Sequence, residues 1–154
     1  MKAKRILLTL ALCLVGISVS YAQNPNMGTW KLNEAKSKFP PGATKNTTVV
    51  YEAVGDSVKV TTDGTSGDGK TVHTEWTGKF DGKDYPVTGD ATSDMRAYTK
   101  VDANNYTMTI KKGGKPAGSG KIAISTDGKS RTVTTSVMDS MGMKMDNSAV
   151  YDKQ

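Results

Sequence analysis

The chain has 154 residues, 36% of them hydrophobic and 23% charged, with 21 basic and 15 acidic side chains and a formal net charge of +6. Such a length fits one domain and buries roughly two thirds of its unfolded surface, enough for a core without staples. The Lys residues are scattered, mostly at turns, with no basic stripe and no interleaved aromatic row, so nucleic acid is excluded as the expected partner.

The chain opens with Lys2, Lys4 and Arg5, followed by an apolar run over residues 6–19 and then Ser20-Tyr21-Ala22 ahead of Gln23. A positive start, an apolar stretch too short to span a bilayer and small residues before a cut are the parts of a secretory signal peptide. Residues 1–22 are therefore read as a leader, and 23–154 as a single exported domain, periplasmic or secreted, with no transmembrane segment after leader removal. The leader holds three of the 21 basic residues and none of the 15 acidic ones, which leaves the domain at +3. It also holds the single cysteine, Cys13. The remainder has no disulfide, no thiolate nucleophile and no cysteine metal site. Leu12 before Cys13 and the better cut downstream disfavour lipid anchoring. In a eukaryotic host Asn46-Thr47-Thr48 and Asn105-Tyr106-Thr107 are glycosylation sequons.

The rest reads as one β-domain. Thr and Val dominate, and both favour the pleated backbone because they branch at Cβ. About ten strands are expected, over residues 27–33, 44–54, 57–65, 71–80, 83–88, 92–101, 106–112, 119–126, 130–139 and 145–152. Asn33 can cap one helical turn through Lys36, which Pro40-Pro41-Gly42 stops from extending. Asp63-Gly64, Asp68-Gly69, Asp81-Gly82 and Asp127-Gly128 read as hairpin turns, and Gly55-Asp56, Gly89-Asp90, Asn104-Asn105 and Gly113-Gly114 do similar work. Short strands between regular turns predict an all-β antiparallel meander of about 8–10 strands, closed into a barrel or stacked as a β-sandwich. Alternation fixes faces and not closure.

Alternation places Val58, Val60, Trp76, Phe80, Tyr106, Met108, Ile110, Ile122, Ile124, Val133 and Val137 on apolar faces. The strand over 92–101 is ambiguous, with Met95, Ala97 and Val101 on one face and Arg96, Tyr98 and Lys100 on the other. Barrel diameter grows with strand number, and only nine aromatic residues follow the leader, so a small interior cavity is expected. Trp76, Arg96, Tyr98 and Tyr106 are the candidates to line it and orient a ligand's head group.

Other patterns point elsewhere. Gly64-Thr65-Ser66-Gly67-Asp68-Gly69-Lys70-Thr71 matches the phosphate-binding loop letter for letter. That chemistry needs a helix N-terminus after the loop, and an alternating strand follows instead, so a hairpin turn is expected. His73, the only histidine, shares a face with Glu75, as a solvent-facing pair. Asp81, Asp84, Asp90 and Asp94 alternate with turn glycines and read as turn formers. Met138, Met141, Met143 and Met145 crowd one hairpin, and thioether sulfur suits Cu(I). No nucleophile, base and orienter come together, so an enzyme is not expected, and no cofactor is implied.

Gly28-Thr29-Trp30-Lys31-Leu32 at the start and Val150-Tyr151-Asp152-Lys153 at the end together resemble the ends of lipocalin-like barrels, on the fatty-acid-binding side of the calycin superfamily. The run 28–39 with Asp81-Gly82-Lys83-Asp84-Tyr85-Pro86-Val87 is also similar to small exported bacterial proteins of unknown function. The resemblance implies a barrel whose end is plugged by Trp30, with Lys153 or Arg131 as its partner. It departs from that family in lacking the portal helix pair, the C-terminal helix and the Thr-Asp-Tyr segment. Three functions are weighed: a monomeric carrier of a small apolar or amphipathic ligand, a periplasmic copper-binding protein using the methionine hairpin, and a structural or interaction module with no small ligand.

Overall fold

The structure is a computed structural model and describes residues 24–138 and 141–154. The expected leader, Cys13 and the tip residues Asp139 and Ser140 lie outside the described residues. Ten strands follow in order: β1 (Gly28–Leu32), β2 (Lys45–Val54), β3 (Ser57–Thr65), β4 (Thr71–Gly78), β5 (Tyr85–Thr88), β6 (Met95–Lys100), β7 (Asn105–Lys112), β8 (Lys115–Ile124), β9 (Ser130–Met138) and β10 (Lys144–Lys153). Each pairs antiparallel with its chain neighbours, and β1 also pairs with β10, so the sheet is a closed up-and-down barrel and not a sandwich. The fold is that of a lipocalin- or fatty-acid-binding-like barrel. A 3-10 turn, Glu34–Lys36, sits in the β1–β2 connection, and Asn33 Oδ1 caps it by accepting from the Lys36 backbone N–H at 3.3 Å.

Local chemistry explains where the strands differ from expectation. Asp63-Gly64 is not a turn: both residues pair within β3, opposite His73 and Val72 of β4. Gly64 is there because β2 crosses so closely, past a register shift between Asn46 and Thr48, that a Cβ would stand 2.3 Å from the Lys45 carbonyl oxygen. The turn falls later, at residues 66–70, and no helix follows it, so the phosphate-loop lookalike is a hairpin. Strand β8 begins earlier than expected, at Lys115. The turn at Gly113 and Gly114 returns the chain at once into pairing, and a register shift beside Lys111 accommodates Pro116. Strand β6 begins later, because Asp90 Oδ1 accepts from Thr92 N–H at 2.8 Å and holds the turn at residues 90–92 out of the ladder, which the backbone rejoins at Asp94 through bonds to Val87 and Lys111.

Register fixes the interior. One inward row runs Tyr98, Met108, Gly120, Thr135, Asn147 across β6 to β10, and another runs Ile124, Arg131, Tyr151, Leu32. The face of β6 that alternation leaves open is thereby settled: Tyr98 is 4% exposed and lies inside with Arg96. Trp30, Trp76 and Tyr106 are the largest fully buried side chains. Phe80, Val58, Val133 and Val137, expected in the core, pack against it half-buried. Outward positions carry residues such as Glu52, Lys59, Asp63, Lys121 and Ser136. A barrel wall facing lipid needs an apolar outer band, which these charges and hydroxyls do not form.

Candidate functional site

The base of the barrel is closed by the chain entering β1. Trp30 Nε1 donates to the Asn26 carbonyl at 2.8 Å, Tyr106 Oη donates to Asn24 Oδ1 at 2.7 Å, and Lys153 Nζ donates to the Pro25 carbonyl at 3.0 Å. Trp30 therefore occupies the plug position, and both expected partners reach it: the Arg131 guanidinium at 4.7 Å from the ring centroid and Lys153 Nζ at 5.1 Å.

Arg131 is the unusual residue. It is 2% exposed, and rings of Trp30, Tyr51 and Tyr151 surround its guanidinium at 4.7, 4.7 and 5.1 Å. Its one hydrogen bond among the described residues runs from Nη1 to Asn26 Oδ1 at 2.6 Å, and Nε is buried without a partner. No carboxylate among the described residues pairs with it. Cation–π contact with three rings offsets part of the cost of burying this charge, on the order of 2 kcal/mol per desolvated contact at best. The burial of an unpaired ion costs several kcal/mol.

A second guanidinium enters from the opposite end. Arg96 Nη2 pairs with Asp90 Oδ2, and the two side chains are only 17% and 13% exposed. Asp90 Oδ2 also accepts from Ser93 Oγ at 2.5 Å, and its Oδ1 accepts from Thr92. Burial raises the Asp90 pKa, but Arg96, Ser93 and Thr92 outweigh it and hold the carboxyl below its ordinary value. Gly89 makes this corner possible: at φ +77° it lies so close to β4 that a Cβ would stand 1.9 Å from the His73 carbonyl oxygen.

Tyr51, Tyr98 and Tyr151 are all buried in the interior, the first and last with their rings against the Arg131 guanidinium. Burial pushes the Tyr151 pKa up to about 12, with Arg131 pulling the other way and Tyr51 and Tyr98 adding to the rise. Tyr98 is raised by burial and by Tyr51, against Arg96 and Arg131. The Tyr51 and Tyr151 hydroxyls bond to no group among the described residues. Trp76 bounds this cluster: its ring meets Tyr98 edge-on at 4.7 Å, and its Nε1 donates to the Arg96 carbonyl at 3.1 Å.

Of the sequence candidates, Trp76, Arg96 and Tyr98 are thus brought together inside. Tyr106 is inside too, but its hydroxyl is committed to Asn24 at the base. Sequence reasoning passes over Tyr51 and Tyr151, and takes Arg131 only as a plug partner. The signal was present: each shares strand parity with small apolar residues (Val49, Ala149 and Val133), so alternation turns all three inward.

The remaining candidates stand apart. His73 faces outward, with Nδ1 2.6 Å from Asp63 Oδ1 and Nε2 3.8 Å from Glu75 Oε1. The hydrogen bond to Asp63 raises its pKa, partly countered by desolvation. Whatever stability this pair adds is complete below pH 6.5 and fades as pH rises through the folded pKa. Proton NMR titration is expected to place His73 above 6.5 and to return it toward that value in Asp63→Asn. Asp81, Asp84, Asp90 and Asp94 serve separate partners, and no group of three His, Cys, Asp or Glu side chains suited to a metal occurs among the described residues. Met138 lies at the outer end of β9 opposite Lys144, whereas Met145 pairs with inward Val137, so the four methionines divide between two faces. Two clefts are present: one of about 600 Å³ between residues 37–43 and the 65–69 hairpin, and one of about 670 Å³ at β7 to β10, whose lining takes in inward Met108, Gly120, Thr135 and Asn147 together with outward neighbours.

No protein-family model matches the chain, and no curated protein matches it. Solved structures similar to it include a designed and a redesigned β-barrel. A de novo designed fluorescence-activating β-barrel is 15% identical over 83% of this chain and 93% of its own, with a TM-score of 0.47. EF1p2_mFAP2b bound to DFHBI is 11% identical over 86% and 96%, with a TM-score of 0.49. The redesigned barrel mFAP1 bound to DFHBI is 12% identical over 84% and 95%, with a TM-score of 0.44. The fold assignment rests on the strand register.

Proposed function

We propose that this protein is an exported, non-catalytic barrel that binds a small amphipathic molecule in its interior, with an acidic group on Arg131. One observation carries the reading: a guanidinium 2% exposed, holding a single hydrogen bond and no carboxylate among the described residues. Of the two interior arginines, Arg96 already has its counter-ion in Asp90, and Arg131 has none among those residues. An anion beside Arg131 would also meet the Tyr51 and Tyr151 hydroxyls as hydrogen-bond donors, and charge-assisted bonds of this kind are the strong ones. Trp76 and Tyr98 offer the apolar wall for the body of the ligand.

The test uses benzoate and benzamide, which share a shape and differ in charge. Titration followed by amide NMR is expected to give benzoate at least about tenfold tighter binding, with shifts centred on Arg131, Tyr51 and Tyr151. In Arg131→Met that preference should vanish, and Tyr151→Phe should reduce it several-fold while keeping the fold. Equal binding of both probes to the unaltered protein would leave a carrier without an anion site. Binding of neither would overturn the carrier reading and favour a structural module. Export is tested separately: N-terminal sequencing of protein recovered from the cell envelope or medium should begin at Gln23.

A further inference from the structure

Residues 24–26 close the base of the barrel without belonging to any strand. Side chains tie them down in place of a ladder. Asn24 Oδ1 accepts from the Tyr106 hydroxyl at 2.7 Å and from the Asn26 backbone N–H at 3.0 Å, while the Pro25 and Asn26 carbonyls accept from Lys153 and Trp30. Asn26 is 0% exposed, and its Oδ1 takes the hydrogen bond of Arg131 at 2.6 Å. An uncharged amide thus stands against a buried guanidinium, where a carboxylate is the ordinary counter-ion.

The fit is incomplete on both sides. Asn26 Nδ2 and Arg131 Nε are both buried, and neither has a hydrogen-bond partner among the described residues. A buried donor without an acceptor is costly, and a charged one more so. A carboxylate in place of the amide brings acceptors only, so it would serve Arg131 better and leave no N–H stranded. Asn26 is therefore a weak occupant of a position that suits an anion.

We propose that Asn26 is a built-in, displaceable occupant of the anion subsite: residues 24–26 cover Arg131 when the barrel is empty, and the acidic group of a ligand takes the place of the Asn26 amide. This rests on the interior-carrier reading above and adds to it the residue that sets the affinity threshold. Every ligand at Arg131 displaces the same amide, so the occupant weakens all of them by one common factor, the fraction of molecules with Asn26 off the guanidinium. Preference for charge belongs to Arg131, and the threshold to Asn26.

The test uses the whole protein, with benzoate and benzamide as probes followed by NMR. In the parent, saturating benzoate should shift the Trp30 indole N–H, whose acceptor is the Asn26 carbonyl. Asn26→Ala removes the occupant and is expected to tighten both probes by the same factor, at least about fivefold, leaving their ratio unchanged. Tyr106→Phe unties Asn24 from the wall and leaves Arg131 and its three rings in place, so it should also tighten both probes. Asn26→Asp supplies an internal carboxylate of the same shape. It should raise the melting temperature by several degrees and weaken benzoate at least about a hundredfold. This variant decides the question if the alanine variant does not fold. Benzoate bound by the parent, with Asn26→Ala no tighter or Asn26→Asp no weaker, would overturn the occupant and leave the anion site standing. Probes bound by Asn26→Ala alone would uphold the occupant and show that the unaltered barrel carries neither. Binding by no variant would overturn both readings, and an Asn26→Asp chain melting at or below the parent temperature would overturn the occupant whatever the probes do.

Discussion

Asp90→Asn is expected to lower the unfolding free energy by about 3–5 kcal/mol, because it leaves Arg96 charged and unpaired inside the barrel mouth. Asparagine can keep the turn, since its side-chain carbonyl still accepts from the Thr92 backbone, so the change isolates the charge from the loop geometry. Adding Arg96→Met should recover most of the loss, as a buried ion pair replaced by apolar groups of similar volume is often neutral. Urea unfolding measures both, and an unchanged slope would confirm that stability and not the denatured state has moved. The pair also sets an acid limit. A carboxyl whose folded pKa lies below its unfolded value adds stability that is present above about pH 4 and disappears as pH falls through the folded pKa. The parent is expected to lose stability steeply below about pH 4, and Asp90→Asn to lose less over that interval. A loss below about 1 kcal/mol in Asp90→Asn would mean that water reaches Arg96 and solvates it.

Trp76→Ala should cost a similar amount, about 3–5 kcal/mol, for a different reason. The indole is 2% exposed and touches Phe80, Tyr85 and Tyr98 with its ring, so its removal leaves a cavity whose walls are strands that cannot close on it. Trp76→Phe should cost less, retaining ring contact while leaving the Arg96 carbonyl without the indole N–H. A double-mutant cycle with Tyr98→Leu is expected to show about 0.5–1.5 kcal/mol of coupling, the range for an edge-to-face pair. Coupling near zero would assign the ring cluster to simple space filling.

Much of the architecture is legible because strand residues and turn residues differ in kind. The β3 bounds, 57–65, follow from Val58 and Val60 alternating with Ser57, Lys59 and Thr61. Closure is not legible, since it depends on Trp30 meeting Lys153, a pairing across the length of the chain that no local pattern encodes. The mistaken turn at Asp63-Gly64 has a similar origin: its glycine answers a crowding from β2 that only the assembled sheet reveals. At the site, Arg96 and Tyr98 stand out as polar-tipped residues on an ambiguous strand, and the burial of Asp90 beside Arg96 decides their face. Arg131 escapes because a charged residue in an alternating strand is ordinarily taken as solvent-facing, and three rings reverse that expectation here.

Closure through β1 and β10 also governs how the chain reaches its native state. β1, near the start of the described chain, must wait for the last strand before its second ladder can form, so the one seam of the ring joins strands at nearly the greatest sequence separation among the described residues. Folding dominated by such pairings runs in milliseconds to seconds, far slower than a helical chain of the same length. Until the final strand arrives, β1 and β9 are open edges with unpaired amides, competent to recruit the same strands of another copy. Aggregation during synthesis or refolding is thus expected to begin at the seam, and to be most severe in chains truncated before β10.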